Sequence, residues 1–144
     1  MVWMQCLAVL AAAMFAGAAL YVSIVEQPAR LRLADGPMLD QWKWSYDRAS
    51  KMQGALAMVA ALLGLWIGYD LGSTPWIIGG LIMITPWPWT LMVMAPGNKR
   101  LQATMSDVVN ADTRALIIRW GSLHLVRLAL GSTGVLIFLR ELCR

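Results

Sequence analysis

The chain has 144 residues, of which 59% are hydrophobic and only 14% are charged, a composition too apolar for an ordinary soluble domain. Its length suits a single membrane domain, residues 1–144. The net charge of +4 comes without a basic motif interleaved with aromatic residues, so no nucleic-acid partner is predicted.

Charged side chains are absent from four stretches, residues 1–25, 52–69, 71–98 and 128–139. The first three are long enough to cross a bilayer core, which needs about 20 residues of helix. The fourth reaches that length only if it begins at Trp120, which places His124 and Arg127 within the membrane. We therefore predict an all-α membrane protein, a four-transmembrane-helix bundle with helices near residues 3–25, 50–69, 75–95 and 112–140.

The first predicted helix is not a predicted signal peptide that would be cleaved, because residues 1–10 contain no Lys or Arg.

The first two predicted helices are rich in small residues. The second helix carries small residues at three- and four-residue spacing, a pattern that allows close approach of a neighbouring helix: Gly54, Ala57, Ala61, Gly64 and Gly68. We interpret this stripe, and a similar run at residues 12–17, as seams inside the bundle, and a homo-oligomer stays open. A turn at Gly36-Pro37 also allows the second helix to begin earlier and run through Lys51.

The third predicted helix is punctuated by Pro75, Pro86, Pro88 and Pro96. Pro86 and Pro88 cannot donate backbone hydrogen bonds, so we predict a kink between Thr85 and Thr90, with nearby hydroxyls compensating the freed carbonyls. Two interpretations stay open. The kink either serves packing alone, or it opens an aromatic-walled cavity beside Trp87 and Trp89 that binds a small planar aromatic ligand.

The basic residues indicate the orientation in the membrane. The connections at residues 26–51 and 95–119 hold nine of them: Arg30, Arg32, Lys43, Arg48, Lys51, Lys99, Arg100, Arg114 and Arg119. The opposite end holds only Arg140 and Arg144. The positive-inside rule predicts a multi-pass cell-membrane protein with both long connections cytoplasmic and both termini on the non-cytoplasmic side. Its predicted partner is the lipid bilayer, with anionic headgroups at the cytoplasmic face.

Metal and cofactor motifs are not found. The chain has one histidine and two cysteines, which cannot supply a zinc or bis-histidine haem site. Cys6 and Cys143 fall near the same face under this topology, so either a disulfide or two free thiols is compatible with the sequence. We predict neither a metal nor a cofactor, and a metal held by Glu26 and His124 is the weaker alternative, since two ligands from one chain make a poor site.

The fourth predicted helix carries Trp120, His124 and Arg127 at positions i, i+4 and i+7, on one face. A buried Arg in a membrane needs a partner, unless it snorkels to the headgroups. Glu26, near the same end, is the acid available to it, although Glu26 also lies one turn from Arg30. Asn98 ends the third predicted span at this level, either as a helix cap or as part of a polar site.

Three segments resemble the anthrone oxygenase family of small four-helix membrane proteins: AGAALYVSIVEQPARL at residues 16–31, WPWTLMVMAPGNKRL at 87–101 and WGSLHLVR at 120–127. The resemblance implies oxidation of an anthrone to an anthraquinone by dioxygen without a cofactor. The positions that match the family pattern are Glu26, Pro28, Asn98, His124 and Arg127.

On this resemblance we assign hypothetical catalytic roles at the cytoplasmic end of the bundle. His124 is the base, Arg127 stabilises the enolate and then the peroxide anion, Glu26 orients one of them, and Asn98 hydrogen-bonds a substrate oxygen. The substrate-binding walls are assigned to Trp87, Trp89, Thr90 and Trp120. The alternative is a non-catalytic binding or accessory protein in which Glu26 and Arg127 form a structural ion pair. A transporter fits less well, since no inverted repeat is found.

Overall fold

The structure, a computed structural model, describes residues 1–144. It is entirely helical, and four helices are long and apolar enough to cross a membrane. We number them by span as α1 (Val2–Arg30), α2 (Asp35–Leu71), α3 (Thr74–Ala103) and α4 (Ala111–Leu142). The predicted fold class, a bundle of four membrane-spanning helices, is confirmed.

Helix α2 begins at Asp35 and runs unbroken to Leu71. It starts before residue 50, as the Gly36-Pro37 pair allowed, and continues through Lys51. Asp35 and Pro37 in its first turn favour a helix start, because an acid suits the positive end of the helix dipole and proline fits the first turn. The helix ends at Gly72, whose φ of 60° is the left-handed conformation that glycine adopts without strain. The two-residue connection to α3 forces α2 and α3 to run antiparallel.

Helix α3 is broken where the prolines predict a kink. It is helical over Thr74–Ile84 and resumes at Pro86–Trp89. At the break, the Thr85 N–H bonds to the Ile82 carbonyl at 3.2 Å, and the Thr85 hydroxyl donates to the Leu81 carbonyl at 2.9 Å. The Thr85 hydroxyl thus satisfies the Leu81 carbonyl, and the Thr85 N–H satisfies the Ile82 carbonyl that Pro86 leaves free, so the predicted compensation of the freed carbonyls by a hydroxyl is not what this break shows.

Two π-helical turns were not predicted. They span Val22–Glu26 in α1 and Thr90–Met94 in α3, and each ends two residues before a proline, Pro28 or Pro96. Proline has no N–H for the regular ladder, and each π turn adds one residue to the helix just before that gap. Such turns are frequent at functional sites because they redirect side chains.

Helices α2 and α3 pack closely before the break and separate beyond it. The predicted seam is confirmed for Ala57, Ala61, Gly64 and Gly68, which are buried within the chain. A Cβ on Gly80 of α3 would lie 2.8 Å from the Leu65 nitrogen, so the two backbones nearly touch there. Past Pro86 the separation leaves cavities between the helices. The two cysteines are both free and exposed.

Candidate functional site

A small cavity lies among the four helices at the end that carries the long basic connections. Its volume is about 20 Å³, room for one water molecule but not for a ring system. Its walls are Val22, Ser45, Tyr46, Ala49, Ser50, Gln53, Thr90, Met94, Asn98, Trp120, His124 and Arg127. We call it the inner cavity.

Helix α4 contributes the stripe that the sequence singles out. Trp120, His124 and Arg127 are only 8%, 4% and 7% exposed, and all three line the inner cavity. The helix is regular here, so their spacing holds them on one face. The Trp120 and His124 rings stack with centroids 5.0 Å apart.

Arg127 has no carboxylate partner. Its Nη1 donates to Thr90 Oγ1 at 2.6 Å, and its Nη2 donates to Gln53 Oε1 at 3.1 Å. Its Nε makes no hydrogen bond, and the residue takes part in none of the four salt bridges. The Phe15 ring lies 5.5 Å from the guanidinium carbon. The bundle therefore encloses a positive charge that only neutral groups surround.

Glu26 does not contact His124 or Arg127, which corrects the hypothesis that it orients one of them. Its carboxylate pairs with Arg30 at 2.7 Å, accepts from Gln41 Nε2 at 2.9 Å and accepts from the Ser45 hydroxyl. The physical reason is proximity, because Arg30 lies one turn away on the same helix and the early start of α2 brings the two polar partners. Glu26 is absent from the cavity wall.

The two π turns supply hydroxyl groups to the α4 stripe. Ser23, in the first π turn, lies 3.2 Å from His124 Nδ1. Thr90, in the second, accepts the bond from Arg127. The other imidazole nitrogen, Nε2, makes no hydrogen bond with the protein. Both irregular turns thus hold the polar side chains of α4 in place.

Asn98 lies inside the last helical segment of α3, Ala95–Ala103, so it is not the helix cap that one interpretation allowed. It is 4% exposed, and its Nδ2 donates to the Tyr46 hydroxyl at 3.1 Å. Its Oδ1 accepts no hydrogen bond, and the buried indole N–H of Trp120 donates none. Together with Arg127 Nε, and besides His124 Nε2, the side chains lining the cavity offer two free donors and one free acceptor.

The residues predicted to form the walls of the substrate site lie in two separate places. A groove of about 230 Å³ between α2 and α3 shares Ser50, Thr90 and Arg127 with the inner cavity, and Trp87 lines this groove. The Trp87 indole donates to the Gly54 carbonyl at 3.2 Å. Trp89 lines neither space and donates to the Leu123 carbonyl at 3.1 Å. Residues two apart point to nearly opposite sides of a helix, so the two indoles cannot share one wall.

The sequence reasoning did not single out Ser23, Tyr46 or Gln53. A signal was available for Gln53, which is a polar amide within a long uncharged stretch and is 2% exposed. Tyr46, Ser50 and Gln53 also have the i, i+4, i+7 spacing of the α4 stripe. No three His, Cys, Asp or Glu side chains lie close enough to hold a metal ion together.

Comparison with known proteins identifies relatives. The anthrone oxygenase family profile matches residues 42–137. The anthrone oxygenase tpcL of Aspergillus fumigatus is 31% identical over 153 aligned residues, which cover 97% of this chain and 93% of that protein. No solved structure matches. The family match covers most of the chain and includes Asn98, His124 and Arg127. The chain therefore belongs to the anthrone oxygenase family.

Proposed function

We propose that this protein is a membrane oxygenase that converts an electron-rich, planar phenolic or anthrone-type compound to its quinone with dioxygen. One observation carries the proposal: Arg127 is buried without a carboxylate partner and lines a cavity together with His124 and Asn98. An enclosed cation whose Nε is free favours binding of an anion. Family membership and the tpcL relative support an oxygenase-type reaction.

The proposed reaction needs three events at one carbon. His124 removes a proton from the acidic C–H of the central ring, and the electron pair left behind delocalises onto the ring oxygen as an enolate. The carbanion form adds dioxygen, which makes a C–O bond and a peroxide anion. After protonation, loss of water leaves a new carbonyl, so CH₂ and O₂ become C=O and H₂O.

The free polar groups suit such a substrate. Arg127 Nε and the Trp120 N–H donate to an anionic oxygen, while Asn98 Oδ1 accepts from a phenolic hydroxyl. Ser23 holds the His124 ring through Nδ1 and leaves Nε2 to take the proton. Glu26 reaches the cavity wall only through Ser45, so we assign it no role in the reaction.

The inner cavity alone is too small for a tricyclic ligand, since its volume of about 20 Å³ holds one water molecule. The groove of about 230 Å³ provides further space, with Trp87, Gly54 and Leu91 in its wall. We propose that the rings lie in this groove, reached from the lipid phase, and that their reactive edge meets Arg127. An apolar substrate dissolved in the bilayer would reach it without crossing water.

The test is quinone formation by purified protein supplied with a hydroxylated anthrone under oxygen, after subtraction of the protein-free rate. We expect Arg127→Gln to lower the rate by at least about a hundredfold, as for loss of an oxyanion donor. His124→Ala should lower it by about 10²–10⁴, as for loss of a general base. Arg140→Gln, a charge-matched change at an exposed position of α4, should leave it unchanged. Wild-type rates in both site variants would refute the proposal.

A non-catalytic accessory role is the second candidate. The Glu26–Arg127 ion pair expected for it is not formed, because Glu26 pairs with Arg30 instead, and this Glu26–Arg30 pair outside the cavity wall is the structural pair that the alternative retains. Under this alternative, Arg127→Gln would mainly lower the yield of folded protein, and a partner protein would co-purify in stoichiometric amount. Folded variants that lose turnover would favour the enzyme.

A further inference from the structure

A second groove lies between α3 and α4 at the same end of the bundle. Its volume is about 230 Å³, and its apolar wall includes Val93, Leu116 and Leu123. Arg100 and Arg119 line the groove as well, one from each helix. A single groove therefore combines an apolar wall with two cationic side chains.

These two arginines are unpaired. Both are exposed, neither takes part in any of the four salt bridges, and neither side chain donates a hydrogen bond within the protein. No acidic residue lines the groove. By contrast, Arg30 and Arg114 at the same end are bound to carboxylates. The groove thus carries two positive charges that the chain itself leaves uncompensated.

The groove has open space next to Gly97, which carries no side chain. Pro96 and Gly97 form part of its wall, and a Cβ on Gly97 would meet no atom within 4 Å. Leu123 follows Arg119 by one turn on α4, and Val93 precedes Arg100 on α3. These two apolar residues therefore lie toward the membrane interior from the arginines, whereas Leu116 lies toward the connection. A ligand with an anionic head and a hydrocarbon tail matches this order of charge and apolar surface.

We propose that this groove binds an anionic phospholipid. Its phosphate lies between the Arg100 and Arg119 guanidinium groups, which suit bidentate bonds to phosphate oxygens. One acyl chain follows Val93 and Leu123 into the bilayer. Basic pockets between membrane helices are a recognised setting for anionic headgroups. Met94 and Trp120 line both this groove and the inner cavity, so the lipid packs directly behind the candidate site.

The test is native mass spectrometry of the purified full-length protein titrated with phosphatidylglycerol or phosphatidylcholine. We expect wild type to retain phosphatidylglycerol in preference to phosphatidylcholine, and each Arg→Gln change to weaken retention about fivefold, the effect of one basic residue near a membrane surface. Gly97→Phe fills the groove without changing charge and should also weaken retention.

The matched control is Arg32→Gln/Arg48→Gln, which removes two exposed charges at the same end but outside the groove. It should retain phosphatidylglycerol like wild type, while Arg100→Gln/Arg119→Gln should not. Equal losses in the two double variants, or no loss in Arg100→Gln/Arg119→Gln, would overturn the proposal. Displacement of the lipid by inorganic phosphate at equal concentration would also overturn it, because the site would then bind a free anion.

Discussion

The guanidinium of Arg127 is held by two neutral oxygens, from Thr90 and Gln53, although it lies among the membrane-spanning helices. A buried cation is costly in a bilayer unless hydrogen bonds or counter-charges compensate it. Here Glu26 is already bound to Arg30, so no carboxylate reaches Arg127. The remaining uncompensated charge is the physical basis of the proposed anion site.

Replacing Gln53 by Leu should destabilise the protein by about 1–3 kcal/mol, because Arg127 Nη2 would lose its acceptor in a buried setting. The measurement is the free energy of unfolding in mixed micelles as denaturing detergent is added. Thr133→Val is the control, since this exposed hydroxyl bonds only to its own helix at Ala129. A Gln53→Leu protein as stable as the control variant would contradict the assigned contact.

Glu26→Gln should destabilise by about 3–5 kcal/mol, because it leaves the Arg30 charge buried without its carboxylate. The matched control is Asp47→Asn, which breaks an ion pair of the same spacing. The Arg30 side chain is 1% exposed, whereas those of Lys51 and Asp47 are 75% and 62% exposed. The control should therefore cost less than about 1 kcal/mol. Equal losses of unfolding free energy would show that the Glu26 pair is not effectively buried.

At the scale of single residues, the sequence predicted which side chains of α4 face inward but not all of their partners. The i, i+4, i+7 spacing was sufficient to place Trp120, His124 and Arg127 along one wall. The partner of Glu26 was not decided, because both Arg30 and Arg127 were compatible with its depth. Only the early start of α2, which brings Gln41 and Ser45 to Glu26, distinguishes the two.

At the scale of helices, the irregular segments carry the site. The break at Thr85 followed from Pro86 and Pro88, since each lacks a backbone donor. The two π turns did not follow from the sequence, because a proline can equally be accommodated by a kink or a helix end. Their positions before Pro28 and Pro96 explain why Ser23 and Thr90 point to α4.

The close contact of α2 with α3 gives a prediction at this scale. Gly80→Ala should destabilise by about 1–3 kcal/mol, because the added Cβ would lie 2.8 Å from the Leu65 nitrogen and 3.0 Å from the Ala61 carbonyl oxygen. Gly17→Ala is the control, since a Cβ there meets nothing within 4 Å. The control should be neutral or stabilising by up to about 1 kcal/mol, the helix preference for Ala over Gly. Similar unfolding free energies for the two variants would contradict the packing.

At the scale of the whole molecule, the distribution of charge along the chain was enough to predict four spans. The three long uncharged stretches and the shorter fourth one correspond to α1, α2, α3 and α4. The distribution of charge did not indicate the length of α2. The first part of this helix, before residue 52, is amphipathic and contains both charged and aromatic residues. That part packs Trp42 and Tyr46 against each other, with ring centroids 4.8 Å apart, and Trp42 against Trp120.

The predicted orientation can be measured with the native thiol of Cys143, which is exposed at the end of α4. In a Cys6→Ala background, a membrane-impermeant thiol reagent should label Cys143 on intact cells if both termini are on the non-cytoplasmic side, as the positive-inside rule predicts. A cysteine-free protein carrying Asp107→Cys, at an exposed position of the connection at residues 95–119, should be labelled only after permeabilisation. The reverse labelling pattern would contradict the predicted orientation.

The most direct measurement is the absorbance spectrum of a hydroxylated anthrone mixed with purified protein in the absence of oxygen, where only deprotonation and binding of the anion can occur. Wild type and Arg140→Gln should produce the red-shifted band of the delocalised anion, and Arg127→Gln should leave the compound neutral. If Arg127→Gln forms the anion as fully as wild type does, the unpaired buried cation is not what stabilises it.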